Sequence, residues 1–148
     1  MLVPRVELCA GASERADPAG ADRTRLRVQV VRRDGKPWLA LGASGGRRIM
    51  PAIAELLSFI VDFGMDLQAA FHQPRLDESA RGIVTIDRRL GDGLARLIAQ
   101  KLGPVEKGAA DAFPTLFANP SAVMRENGVN IGMGEVTSPW SGAVAEER

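Results

Sequence analysis

One stretch limits the possible folds of this chain more than any other: WLALGASGGRRIMPAIAELLSFIVDFGMD, Trp38 to Asp66. An apolar run stops at Gly42-Ala43-Ser44-Gly45-Gly46, and a long helical pattern begins at once. Trp38 to Leu41 is continuous in the way a strand buried on both faces is. Beyond the glycines, Ile49, Ile53, Leu56, Ile60 and Phe63 recur at steps of three and four, and Met50, Leu57 and Val61 widen the stripe. So wide a face predicts a helix buried between layers. Pro51 suits its first turn and Gly64 its end.

The flanking sequence extends the pattern. RVQVVRR, then Asp34-Gly35, then KPWLALG predicts a β-hairpin, because Asp-Gly supplies the two positive φ angles of a type I′ turn. Pro37 is tolerated at the start of the second strand. Asp66 is placed to cap a short helix, LQAAFHQ, which Pro74 stops. GIVTID (82–87) reads as a strand. DGLARLIAQKLG (92–103) reads as a helix capped by Asp92, with Leu94, Leu97, Ile98 and Leu102 as its apolar face and Gly103 as its stop. Asn127-Gly128 signals a second hairpin, and TSPWSGAVAEER an irregular tail. There is no internal repeat. The fold class is α/β or α+β, with a mixed or antiparallel sheet rather than a doubly wound parallel one.

Composition excludes several functions. The 148 residues suffice for one domain with a real core, and 45% apolar with 25% charged residues is ordinary for a globular protein. With 19 Lys plus Arg against 18 Asp plus Glu, the net charge is +1, so nothing points to nucleic acid or an acidic membrane surface as a partner. The apolar run from Ile49 to Met65 is broken by Glu55 and Asp62 and predicts no membrane span. The first twenty residues carry no apolar core of signal-peptide length. One Cys, Cys9, and one His, His72, leave no disulfide framework and no zinc site of the usual kind. No metal and no cofactor are expected. Residues 1–27, rich in Ala, Gly, Arg, Asp and Pro, read as a disordered leader, and 28–148 as the folded domain.

Three uses of the glycine turn compete. A phosphate loop needs Lys and Ser or Thr after the last glycine, and Arg47-Arg48 stand there instead. A dinucleotide fingerprint is absent. Gly42-Ala43-Ser44-Gly45-Gly46 does match the G-x-S-x-G of a nucleophile elbow, with Ser44 as nucleophile. Its weakness is that the only histidine is His72, soon after the elbow rather than near the chain end. The third use is an oxyanion hole. Gly45 and Gly46 can present backbone N–H groups at the mouth of a helix, with no Cβ in the way and a favourable helix dipole. One such donor is worth about 3 kcal/mol in a transition state. Equally, the glycines can serve only to make a tight strand–helix turn. Asp77-Glu78 read as a solvated turn, Arg47-Arg48, Arg88-Arg89 and Arg96 as surface charges or local ion pairs, and Trp38 and Trp140 as packing residues.

Taken together, Asp34-Gly35-Lys36-Pro37-Trp38, Gly42 to Ile49, Asp62-Phe63-Gly64-Met65, and Ala70 with Pro74-Arg75 resemble the small-subunit region of the gamma-glutamyltransferases (gamma-glutamyltranspeptidases). The likeness covers roughly residues 28–148. It implies the C-terminal part of that subunit and an N-terminal-nucleophile hydrolase fold, here a partial αββα sandwich. It implies an N-terminal Thr that attacks the γ-glutamyl amide of glutathione or a similar donor and passes the acyl group to water or an amino acid. It implies that Gly45 and Gly46 are the oxyanion donors. The family's nucleophile Thr lies upstream of the likeness, and Thr24 does not sit in its context. The family's Ser-Ser-Met-Ser-Pro-like segment is replaced by Thr24 to Val28. The expectation is therefore a fragment or truncated frame, inactive alone, that needs a large-subunit partner or self-associates. The resemblance implies a periplasmic or extracellular enzyme and leaves the compartment of this chain open.

Overall fold

A computed structural model describes residues 5–10, 27–80, 82–111 and 116–142. It shows two sheets with helices packed on them. Among the described residues there are eight strands: β1 (Val6–Ala10), β2 (Arg27–Arg33), β3 (Lys36–Ser44), β4 (Leu76–Asp77), β5 (Val84–Asp87), β6 (Val105–Gly108), β7 (Asn119–Glu126) and β8 (Val129–Gly134). The helices are α1 (Ile49–Val61), α2 (Leu67–His72) and α3 (Gly91–Leu102), with 3-10 turns at Gly46–Arg48 and Arg88–Leu90.

The larger sheet has the order β1-β2-β3-β7-β8, antiparallel throughout. Both hairpin turns form as their sequences require. Asp34 and Gly35 have φ of 52° and 76°, and Asn127 and Gly128 have 51° and 85°. The smaller sheet, β4-β5-β6, pairs β5 with β6 in parallel, and α3 lies in the connection between them.

One expectation fails at the start of the chain. Val6–Ala10 is not part of an unstructured leader: it pairs with β2, from Val6 opposite Arg33 to Ala10 opposite Gln29. The backbone N–H of Asp34 also donates to Arg5 O at 2.9 Å, tying the first hairpin to this strand.

The main core joins one face of the larger sheet to α1 and α2. Val31, Leu39, Leu41, Ala122 and Met124 meet Ile53, Leu56, Ile60, Leu67 and Phe71 there. The burial expected of α1 is only half realised. Ile49, Ala52, Ile53, Leu56 and Ile60 are buried. Met50 is 48% exposed and Phe63 70% exposed, so among the described residues one layer covers this helix, not two. Its end is made by Gly64 at φ +67°, around which Phe63 N–H and Met65 N–H reach back to Ser58 O and Phe59 O. Asp66 caps α2 as read, its Oδ1 accepting from Ala69 N–H at 2.6 Å.

A second, smaller core holds Val84, Ile86, Ala95 and Ile98. Here α3 departs from its reading. It starts one residue early, at Gly91, and no side chain caps it. Asp92 instead forms an ion pair with Lys107 on β6. Only Ala95 and Ile98 are buried, whereas Leu94, Leu97 and Leu102 face outward.

Candidate active site

The glycine turn sits where β3 runs into a helix. Ser44, the last residue of β3, pairs with Asn119 at the start of β7. Gly45 follows with φ +140° and Gly46 with φ +61°, and Arg48 N–H closes the first turn on Gly45 O at 3.3 Å. The 3-10 turn Gly46–Arg48 leads directly into α1, so both glycines stand at a helix N-terminus, where amides have no partners of their own. Among the described residues, nothing accepts a hydrogen bond from the N–H of either glycine.

The two positions differ. A Cβ on Gly45 would lie 2.9 Å from both Cα and Cβ of Ala118, so the turn is pressed against the chain entering β7. A Cβ on Gly46 would meet nothing within 4 Å. Gly45 is thus required by its conformation and by its neighbour, whereas Gly46 opens onto free space.

Beside the turn lies a depression of about 340 Å³ lined by Ala43, Ser44, Asn119, Ser121, Ser138, Trp140, Ser141 and Gly142. Among the described residues no charged side chain lines it. Its far wall comes from Ser138 to Gly142 of the tail, which have no helix or strand. Glu135 N–H donates to Ser141 Oγ at 3.0 Å, and the Thr137 N–H and hydroxyl both donate to Glu135 Oε1. Trp140 corrects its reading: it is 75% exposed, while Trp38 is buried with the Arg33 guanidinium 3.4 Å over its ring.

Behind the turn lies a polar network that the sequence reading missed. Arg75 and Glu135, sixty residues apart, form a buried ion pair, and Arg75 Nη1 also donates to Ala118 O at 3.4 Å. Ala118 is the residue that touches Gly45, so Arg75 braces the wall of the turn. Arg75 appeared in the sequence only as part of Pro74-Arg75, and nothing local marks its partner. Asp77 is also corrected. It is buried, not solvated, and its Oδ2 lies 3.5 Å from Arg48 Nε. Arg89 pairs with the buried Asp87. Burial pushes the Asp87 carboxyl up, but the side-chain and backbone hydrogen bonds from Arg89 outweigh it and hold it below the usual carboxylate range.

The elements of a serine hydrolase are not assembled. Ser44 is exposed at the strand end, and His72 Nδ1 is engaged with Gln68 O of its own helix at 2.8 Å. Among the described residues no His, Cys, Asp and Glu cluster could hold a metal ion, and no helix is long and apolar enough to cross a membrane.

The fold is that of gamma-glutamyltranspeptidases. The gamma-glutamyltranspeptidase from Pseudomonas nitroreducens complexed with L-DON superposes with a TM-score of 0.69 at 18% identity, over 92% of this chain and 70% of that one. The family model for gamma-glutamyltranspeptidase matches residues 25–142. The chain belongs to the gamma-glutamyltranspeptidase family, within the N-terminal-nucleophile hydrolases. It is similar to the glutathione hydrolase proenzymes of Bacillus subtilis (24% identical over 92 residues, 62% of this chain) and Escherichia coli (30% over 74 residues, 49%). The match spans only 15% and 13% of the lengths of those two relatives.

Proposed function

We propose that this chain supplies the oxyanion half of a site that hydrolyses or transfers a γ-glutamyl group. The observation carrying this reading is the Gly45-Gly46 turn: two left-handed glycines whose amides no described residue claims, at the mouth of α1, in a chain of this family. As the acyl carbonyl is attacked, its oxygen gains negative charge, and amides fixed in advance stabilise it without reorganising. Gly45 and Gly46 are the donors in this reading. The uncharged depression beside them receives the rest of the acyl donor.

In this reading the nucleophile is a Thr supplied from outside the described residues. Thr85 is buried in β5 of the other sheet, and the Thr137 hydroxyl is committed to Glu135; Thr24 and Thr115 lie outside the described residues. The division at residue 28 is retained for the domain, with β1 added to its sheet. The two sheets and their helices are taken as part of an αββα sandwich, consistent with the superposition on P. nitroreducens. The purified chain, freed of host enzyme, is expected to release no product from γ-glutamyl-p-nitroanilide. Measurable release would overturn the absence of a nucleophile.

Association is the second reading, because the edge strands and α3 expose Leu8, Val129, Ile131 and Leu97. A large-subunit-like partner or a second copy would cover them. A Ser44 hydrolase makes a different prediction: labelling by a fluorophosphonate that Ser44→Ala abolishes. The position of His72 favours no labelling.

A further inference from the structure

The helix that leaves the glycine turn is fastened to β4 at two points. Arg48 Nε lies 3.5 Å from Asp77 Oδ2. Seven residues on, Glu55 Oε1 accepts from Leu76 N–H at 2.9 Å. Positions seven apart fall on the same side of a helix, about 10 Å apart along its axis. Leu76 and Asp77 are adjacent and make up the whole of β4. Two consecutive residues thus hold both the 3-10 turn that precedes α1 and the second turn of α1 itself.

The two fastenings differ in kind. Arg48 and Asp77 are opposite charges. Glu55 faces a neutral amide, and its Oε2 is buried with no hydrogen-bond partner among the described residues. An ionised carboxylate there keeps one oxygen without water or a donor, which is costly. Burial pushes the Glu55 carboxyl up to about 7, against the pull of the Leu76 hydrogen bond and Arg75 and with the push of Glu78 and Asp77. Arg75 cannot turn fully to Glu55, because it is engaged by Glu135 and Ala118 O. Asp77 is likewise held by Arg48. Among the described residues, no charged group of the other elements packed on α1, namely the 3-10 turn Gly46–Arg48, α2, β3 and β7, is among those that shift Glu55.

We infer that Glu55 is a proton-operated latch between α1 and β4, closed while its carboxyl holds a proton and open once that proton passes to water. On opening, the carboxylate swings toward solvent and Leu76 N–H loses its acceptor. The Arg48–Asp77 ion pair then remains between the start of the helix and the strand. The inference does not depend on what the glycine turn binds.

The test uses isotope-labelled 148-residue chain and NMR between pH 5 and 9. The Glu55 carboxyl carbon is expected to titrate near neutrality. Over the same range the protection of the Leu76 amide, corrected for base catalysis, is expected to fall about tenfold or more. Glu55→Gln keeps an acceptor without a charge, so Leu76 stays protected at every pH. Glu55→Ala leaves it unprotected throughout. A Glu55 carbon that titrates in the ordinary carboxylate range overturns the latch, as does a Leu76 step that persists in Glu55→Gln. Should the Gln variant not fold, the native chain alone decides: a Leu76 step that does not coincide with the Glu55 titration overturns it.

Discussion

Gly45 and Gly46 are both left-handed, yet substitution separates them. Alanine at Gly46 has room for its Cβ, and the expected cost is that of a left-handed alanine, about 1 kcal/mol. Alanine at Gly45 combines a φ of +140° with a contact 2.9 Å from Ala118, and the chain at Ala118 must move to admit it. The expected loss is about 3 kcal/mol or more. Urea unfolding of the two variants measures the difference, and equal losses would refute the packing of the turn against Ala118. Arg75 and Glu135 belong to the same scale. Arg75→Met leaves a buried carboxylate unpaired and is expected to cost about 3–5 kcal/mol. Replacing both partners by apolar residues is expected to cost less than Arg75→Met alone.

At the scale of elements, α1 carries the pH dependence. The folded Glu55 carboxyl, near 7, binds its proton more tightly than the unfolded one, near 4.5. Its contribution to stability is therefore complete below pH 4.5, declines as pH rises, and is gone above 7. The shift corresponds to about 3 kcal/mol. Asp87 behaves in the opposite sense: its carboxyl is lowered, so its contribution is lost only in more acidic solution. The stability of the native chain minus that of Glu55→Gln is thus expected to fall between pH 5 and 7, and a flat difference would contradict it.

The elements also differ in how much their sequences disclosed. The two hairpin turns could be read because Asp34-Gly35 and Asn127-Gly128 meet a demand set by four neighbouring residues. Asp66 as a cap is equally local. Strand β1 could not be read, because VELCA becomes a strand only by pairing with residues 27–33 across a long gap. Helix α3 shows a further limit. Its periodicity announced a helix, but Leu94 and Leu97 turn outward while Ala95 and Ile98 meet the small sheet. Periodicity fixes a stripe, and only the partner fixes which stripe is covered. The glycines of the site stood out in the sequence. Arg75, Glu135 and Glu55 did not, because their partners are 60, 43 and 21 residues away.

At the scale of the whole molecule, two hydrophobic cores meet at one polar seam. The main core under α1 and the smaller one under α3 have no buried residue in common. Between them run Glu55 to Leu76 N–H, Arg48 to Asp77, and Arg75 to Ala118 O. The seam passes directly behind the glycine turn, so the site depends on the two parts staying in register. The outer edges are the other feature of this scale. Leu8 on β1 and Val129 on β8 stand exposed on the two edge strands of the larger sheet. Sedimentation velocity across about a hundredfold range of concentration is expected to show association. A monodisperse monomer that unfolds cooperatively would count against it.

The role of the glycine turn is tested most directly by catalysis in a chimera. Residues 28–142 would replace the matching segment of the E. coli glutathione hydrolase proenzyme. Hydrolysis of γ-glutamyl-p-nitroanilide would be measured in that chimera and in a semisynthetic variant whose Gly45–Gly46 peptide bond is an ester, which removes the Gly46 N–H and leaves every side chain in place. Loss of that one oxyanion donor is expected to lower kcat by about a hundredfold, with KM little changed. An unaltered kcat in a folded, active chimera would contradict the oxyanion assignment.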